Sequence, residues 1–191
     1  PSFGVVLPAA AVRRAFQKEF AAAKNPSLKK AGAPSASPGV EAVAKVAPSV
    51  VSVWAGDGEW PALGSTDPGA VQRRAGLGSG VVLGKKGLVV TNAHLVKSGA
   101  ARVRTSDGRT FPAKVVKTHG GTNLALLQVE LPSGQSLPAA DCNPDDDTIL
   151  GEVVYAVGNP LGTKPVVTAG VVSARRDREG GRIQADANLG N

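Results

Sequence analysis

Residues 101–116 read ARVRTSDGRTFPAKVV, and this stretch decides the fold class. Val103 and Thr105 alternate with Arg102 and Arg104, the period-two pattern of a strand with one face buried. Asp107-Gly108 then supplies a turn, and Phe111 to Val116 runs back as a second apolar, β-branched segment. The reading is a β-hairpin. Further short apolar runs lie on either side: LVV at 88–90, NLALLQVE at 123–130, GEVVYAVG at 151–158, KPVVTAGVVSA at 164–174 and GRIQADA at 181–187. Each is bounded by Gly, Pro, Asn or Asp, and closely spaced strands of this kind imply an all-β barrel or sandwich, not an α/β sheet.

The composition agrees. With 42% hydrophobic and 19% charged residues in 191, the chain has enough apolar material for a core and is neither a charged disordered polymer nor a membrane bundle. Its 24 glycines and 14 prolines, against 4% aromatics, suit many turns between short strands. A lone cysteine, Cys142, cannot form an internal disulfide, so stability comes from packing. The formal charge of +7, from 22 basic and 15 acidic residues, raises the question of nucleic acid. The basic pairs Arg13/Arg14, Lys29/Lys30, Arg73/Arg74, Lys85/Lys86 and Arg175/Arg176 are dispersed and have no aromatics interleaved to stack on bases, so no nucleic-acid partner is expected.

Outside the strand-rich part the pattern changes. FGVVLP at 3–8 precedes AAAVRRAFQKEFAAAK, where Val12, Phe16 and Phe20 recur every four residues; residues 1–24 read as strand, turn and amphipathic helix. Residues 25–39, rich in Pro, Ser, Gly and Ala, read as a linker. A brief helical stretch, EAVAKVA at 41–47, is closed by Pro48 and leads into the strands. No initiator methionine, signal peptide or membrane span is visible, and the expectation is a piece of a longer polypeptide.

Two histidines carry the search for chemistry. His94 follows the strand Leu88–Val90, where an imidazole is placed to act as a general base. His119, on a glycine-flanked loop in KTHGGTN, reads as a solvated residue. One cysteine and two histidines 25 positions apart make no metal motif, and no phosphate or dinucleotide fingerprint is present, so neither metal nor organic cofactor is expected.

Seven blocks in order then make a resemblance: GLGSGVVL (76–83), TNAHLV (91–96), SDGRTFPAKVV (106–116), TNLALLQV (122–129), GEVVYAVGNPLG (151–162), VTAGVVSA (167–174) and IQADA (183–187). Residues 40–191 resemble the HtrA/Deg branch of trypsin-like serine proteases. The resemblance implies a pair of six-stranded β-barrels with the active site in the cleft between them, the first barrel complete and the second truncated. It implies a Ser-His-Asp triad with His94 as the general base. It implies polypeptide substrates, an exported or periplasmic setting and a bacterial source, and it leaves assembly in the parent and any PDZ domain open.

This sequence departs from the family at two points. The position of the triad acid, just before LALLQV, holds Asn123, and no nearby aspartate replaces it: Asp107 is in the hairpin turn, and Asp145, Asp146 and Asp147 follow in a polar loop. The nucleophile motif GNSGG that follows IQADA in the family is not reached before Asn191; Ser79 and Ser173 lie in strand or turn blocks and are no substitutes. The expectation is therefore a serine endopeptidase in the parent, with this 191-residue chain inactive, and the alternative is a pseudoprotease that binds peptides or proteins. The segment SFGVVLPAAAVRRAF is similar to the one that closes HtrA-type domains, which leaves two readings of residues 1–24: the tail of a preceding protease-like domain, or a plain leader or interdomain helix.

Overall fold

The computed structural model describes residues 37–55, 60, 77–96, 99–142, 149–160, 164–176 and 182–188. The chain divides into two units, residues 1–37 and 38–191, and the described helix and strands belong to the second. The strand and helix expected at 1–24, all but the end of the expected linker, and the loop aspartates 145–147 lie outside the described residues.

The unit opens on helix α1 (Pro38–Val46), which starts three residues earlier than the sequence pattern indicates. Pro38 stands at the first helical position, where its missing N–H has no intrahelical partner to lose. Glu41 in the first turn and Lys45 in the last complement the helix dipole. Gly39 is buried, and a Cβ there would run into the end of the Tyr155 side chain, so another residue would require that ring to move. A 3-10 turn, Ala47–Ser49, carries Pro48 and ends the helix.

Six strands follow: β1 (Val50–Trp54), β2 (Leu77–Gly84), β3 (Leu88–Asn92), β4 (Ala100–Arg104), β5 (Thr110–His119) and β6 (Leu124–Val129). They close into an antiparallel barrel in the order β1-β2-β3-β6-β5-β4, with β4 returning to β1 through Val53↔Val103 and Trp54↔Arg102. Closure removes the unpaired strand edges that would invite association. The hairpin read at 101–116 is β4-β5, turned at Asp107-Gly108 with Gly108 at φ 89°; β5 runs on to His119 past a register shift between Val115 and Lys117. His119 therefore ends a strand and does not sit in a loop, although it is exposed as expected.

Inside the barrel Val51, Val53, Val82, Val89, Val103 and Leu127 are fully buried and pack with Phe111, Ala113, Ala125 and Val129. Short valine-rich strands suit this interior because β-branched side chains pack well on a pleated surface of small radius. Gly80 is closely packed on two sides: a Cβ would lie 2.9 Å from both Val53 Cγ2 and Val89 Cγ1 and 3.0 Å from the Val90 carbonyl.

A second sheet follows, β7 (Val153–Gly158), β8 (Val166–Arg176) and β9 (Arg182–Ala185), antiparallel in that order. The all-β, trypsin-like architecture is thus present, with one closed barrel and, among the described residues, a three-stranded sheet in place of a second. Val153, Val166, Val167, Val171 and Ile183 are exposed on it.

Candidate functional site

Strands β3 and β6 pair antiparallel, and the register puts Asn92, the last residue of β3, opposite Leu124, the first of β6. The chain just beyond β3 therefore meets the chain just before β6. His94 lies on the 3-10 turn Ala93–Leu95, and Asn123 closes another, Gly120–Thr122. Residues 29 apart in sequence are thereby brought side by side.

The pairing is tight and directional. The Ala93 N–H donates to the Asn123 carbonyl at 2.9 Å, and the Asn92 side-chain amide donates to the same oxygen at 3.4 Å. The His94 backbone N–H donates to Asn123 Oδ1 at 3.1 Å, while Asn123 Nδ2 stands 2.8 Å from His94 Nδ1. A backbone N–H can only donate, so the amide oxygen belongs on that side and the amide NH2 faces the imidazole. That NH2 has no lone pair to offer, so Nδ1 accepts. In a neutral imidazole the ring proton is then on Nε2.

Asn123 adopts φ 56°, ψ 35°, the left-handed region, and is the one non-glycine with positive φ among the described residues. Asparagine and aspartate enter this region more readily than other side chains because their short polar groups bond to the local backbone. The backbone at 123 thus selects for an Asn or Asp and aims it at His94. Both side chains are exposed, so substrate-sized groups can reach the imidazole.

The other histidine does not join the pair through any bond of its own: His119 Nδ1 lies 2.9 Å from Thr122 Oγ1. No cluster of His, Cys, Asp and Glu that could hold a metal occurs among the described residues. Ser79 lies in β2 and Ser173 in β8. A cavity of about 810 Å³ lies elsewhere, between α1, the segment around Ala139 to Cys142, and Tyr155 and Val157 of β7.

One set of residues escaped the sequence reading. Ser52, Thr91 and Asn159 are buried: Ser52 and Ser79 bond Asn159 at the end of β7 and so link the barrel to the second sheet, while the Thr91 hydroxyl donates to the Ser79 carbonyl within the barrel. The available signal was a serine inside the otherwise apolar strand VVSVW.

A closed barrel followed by a further antiparallel sheet is the trypsin-like fold class, and the strand-end histidine bonded to the residue before β6 is its candidate site. Residues 78–191 match the family described as the trypsin-like peptidase domain. The chain is 40% identical over 124 residues to the serine protease HhoA of Synechocystis, covering 64% of this chain and 30% of that protein. It is 41% identical over 108 residues to the periplasmic serine endoprotease DegP of Salmonella typhimurium, covering 56% and 22%. To the serine endoprotease DegS of the same species it is 34% identical over 134 residues, covering 70% and 35%. The chain spans about a third or less of the length of these relatives. It belongs to the trypsin-like peptidase domain family and is of the HtrA/Deg type.

Proposed function

We propose that the parent protein is a serine endopeptidase acting on unfolded or extended polypeptide outside the cytoplasm, with His94 as general base and Asn123 in the position of the triad acid. The observation that carries this reading is the Asn123–His94 pair, made by the two strand ends that the family uses for its acid and base. The periplasmic name of DegP supports the exported setting. The nucleophile is a serine outside these 191 residues, since no serine within them stands in the GNSGG context. Only in the other tautomer, with the ring proton moved to Nδ1, would the His94 imidazole take the serine proton on Nε2 and pass it to the leaving amine; it would then take a proton from the attacking water and return it to the serine oxygen as the acyl group leaves. The 191-residue chain alone hydrolyses no peptide bond.

The test is covalent labelling of the full-length protein with a serine-directed phosphonate. Slow labelling that is lost in His94→Ala supports the reading; full-length protein that never labels removes it. Casein turnover by the pure 191-residue chain, abolished by His94→Ala, would overturn the inactivity of the chain alone.

A second reading is favoured by one observation, the direction of the Asn123 amide. With Nε2 carrying the ring proton, His94 is a hydrogen-bond donor, not a base, and the barrels serve to bind peptide or protein. A residue other than serine at the nucleophile position of the parent decides for the binder.

A further inference from the structure

We propose that Ser79 is a positioning residue that ties the His94 turn to the second sheet, so that the imidazole and that sheet hold a fixed relation. Its role in catalysis rests on the peptidase reading; its structural content does not.

Two modules of one domain need a joint, and in this chain the joint is polar and buried. At the end of β7 the Asn159 N–H donates to Ser79 Oγ at 2.9 Å, and the Ser52 hydroxyl donates to the Asn159 carbonyl. Ser52 and Asn159 are 0% and 1% exposed, so each bond replaces water that cannot reach the groups, and losing a partner leaves an unsatisfied buried atom. Gly158 brings the strand end close enough, since a Cβ there would lie 3.1 Å from Ser79 Oγ.

Ser79 also faces the other way. Its carbonyl accepts the hydroxyl of Thr91 at 2.8 Å, and Thr91 is buried in β3 three residues before His94. The neighbouring Gly78 leaves room for Leu95, whose Cδ1 would lie 2.1 Å from a Cβ at 78. One residue thus holds the second sheet with its side chain and the strand leading to His94 with its main chain. Of the five buried polar residues among those described, Ser52, Thr91 and Asn159 belong to this network, and Ser49 and Thr105 do not. Asn159 contributes both of its bonds through the backbone, so the serine hydroxyls, and not the asparagine side chain, are the groups to remove.

The experiment uses the isotopically labelled 191-residue chain, comparing wild type with Ser79→Ala and with Ser49→Ala. Ser49 is the control: its buried hydroxyl donates to the Val46 carbonyl at 2.7 Å, outside the network. In Ser79→Ala, amide exchange in Val154–Gly158 should quicken about tenfold, the effect of one lost buried hydrogen bond, and the His94 imidazole nitrogen signals should move. Ser49→Ala should do neither. Ser79→Thr, which keeps the hydroxyl, should restore both. Unmoved His94 signals in folded Ser79→Ala, or equal movement in Ser49→Ala, would overturn the proposal. Should Ser79→Ala not fold, Thr91→Val keeps the shape and deletes the hydroxyl; it must move the His94 signals, and failure to do so is equally fatal. None of these readouts needs turnover. A full-length protein that never labels with phosphonate therefore removes the peptidase reading and leaves this one standing.

Discussion

Asn123 Nδ2 lies 2.8 Å from His94 Nδ1, and the His94 backbone N–H, bonded to Asn123 Oδ1 at 3.1 Å, prevents the amide from turning round. A carboxylate in the same place would accept from both groups. The asparagine accepts from one and donates to the other, which puts the ring proton on the wrong nitrogen for general-base catalysis and offers no charge to an imidazolium.

The tautomer is directly measurable. In nitrogen NMR of the chain near pH 8, His94 Nδ1 should appear as the unprotonated nitrogen and Nε2 as the protonated one. In Asn123→Asp the assignment should reverse, because the carboxylate needs a proton from Nδ1. Retention of the same tautomer in both proteins would contradict the hydrogen-bond directions of the Asn123–His94 pair.

The kinetic counterpart concerns the parent. The Asp-to-Asn exchange in a chymotrypsin-like triad lowers kcat by about 10⁴, so Asn123→Asp in the full-length protein should raise turnover by a factor approaching that size. The left-handed backbone at 123 accepts aspartate as it does asparagine, so the change should not cost the fold. Peptide hydrolysis assayed side by side decides it, and a gain below about tenfold would show that Asn123 is not what limits the reaction.

Gly80→Ala should destabilise the barrel by about 1–3 kcal/mol, as overpacking does when the neighbours are β-branched side chains and a carbonyl oxygen. Denaturant titration measures it. Gly99→Ala is not an equivalent control, since its strain comes from φ 81° and not from crowding.

Asp107 gives a pH dependence in the acid range. The Thr105 hydroxyl most of all holds its carboxyl below the usual value; burial opposes this next in strength, and the Arg109 backbone N–H and guanidinium add smaller lowering contributions. A carboxylate with a lower pKa when folded stabilises the protein above its unfolded pKa and loses that contribution as pH falls through the folded one. The group is half exposed, so the effect is small, and Asp107→Asn should remove it. Melting temperature followed from pH 5 downward should therefore fall less steeply in the variant.

The second sheet should make the isolated chain associate. Val153 and its cross-strand partner Val171 are 58% and 37% exposed, on a sheet with two open edges among the described residues. Sedimentation at rising concentration should show growth of larger species, and Val153→Lys with Val171→Lys should suppress it. A monomer at all concentrations would count against this.

The strand-turn chemistry of 101–116, the short valine runs and the seven family blocks were local signals, and local signals are what a sequence carries directly. They were enough for the all-β class, for the trypsin-like resemblance and for His94 and Asn123 as the residues to watch. The sequence also marked Asn123 as a departure, because a missing charge can be read without coordinates. What it could not supply was direction. Which atom of the Asn123 amide faces the ring depends on a backbone N–H that the β3-β6 register brings within reach, and register is a property of paired strands, not of either alone. The joint of Ser52, Ser79 and Asn159 was hidden for the same reason. Its members lie up to 107 positions apart, and a serine in a strand shows its purpose only when folding removes the water around it.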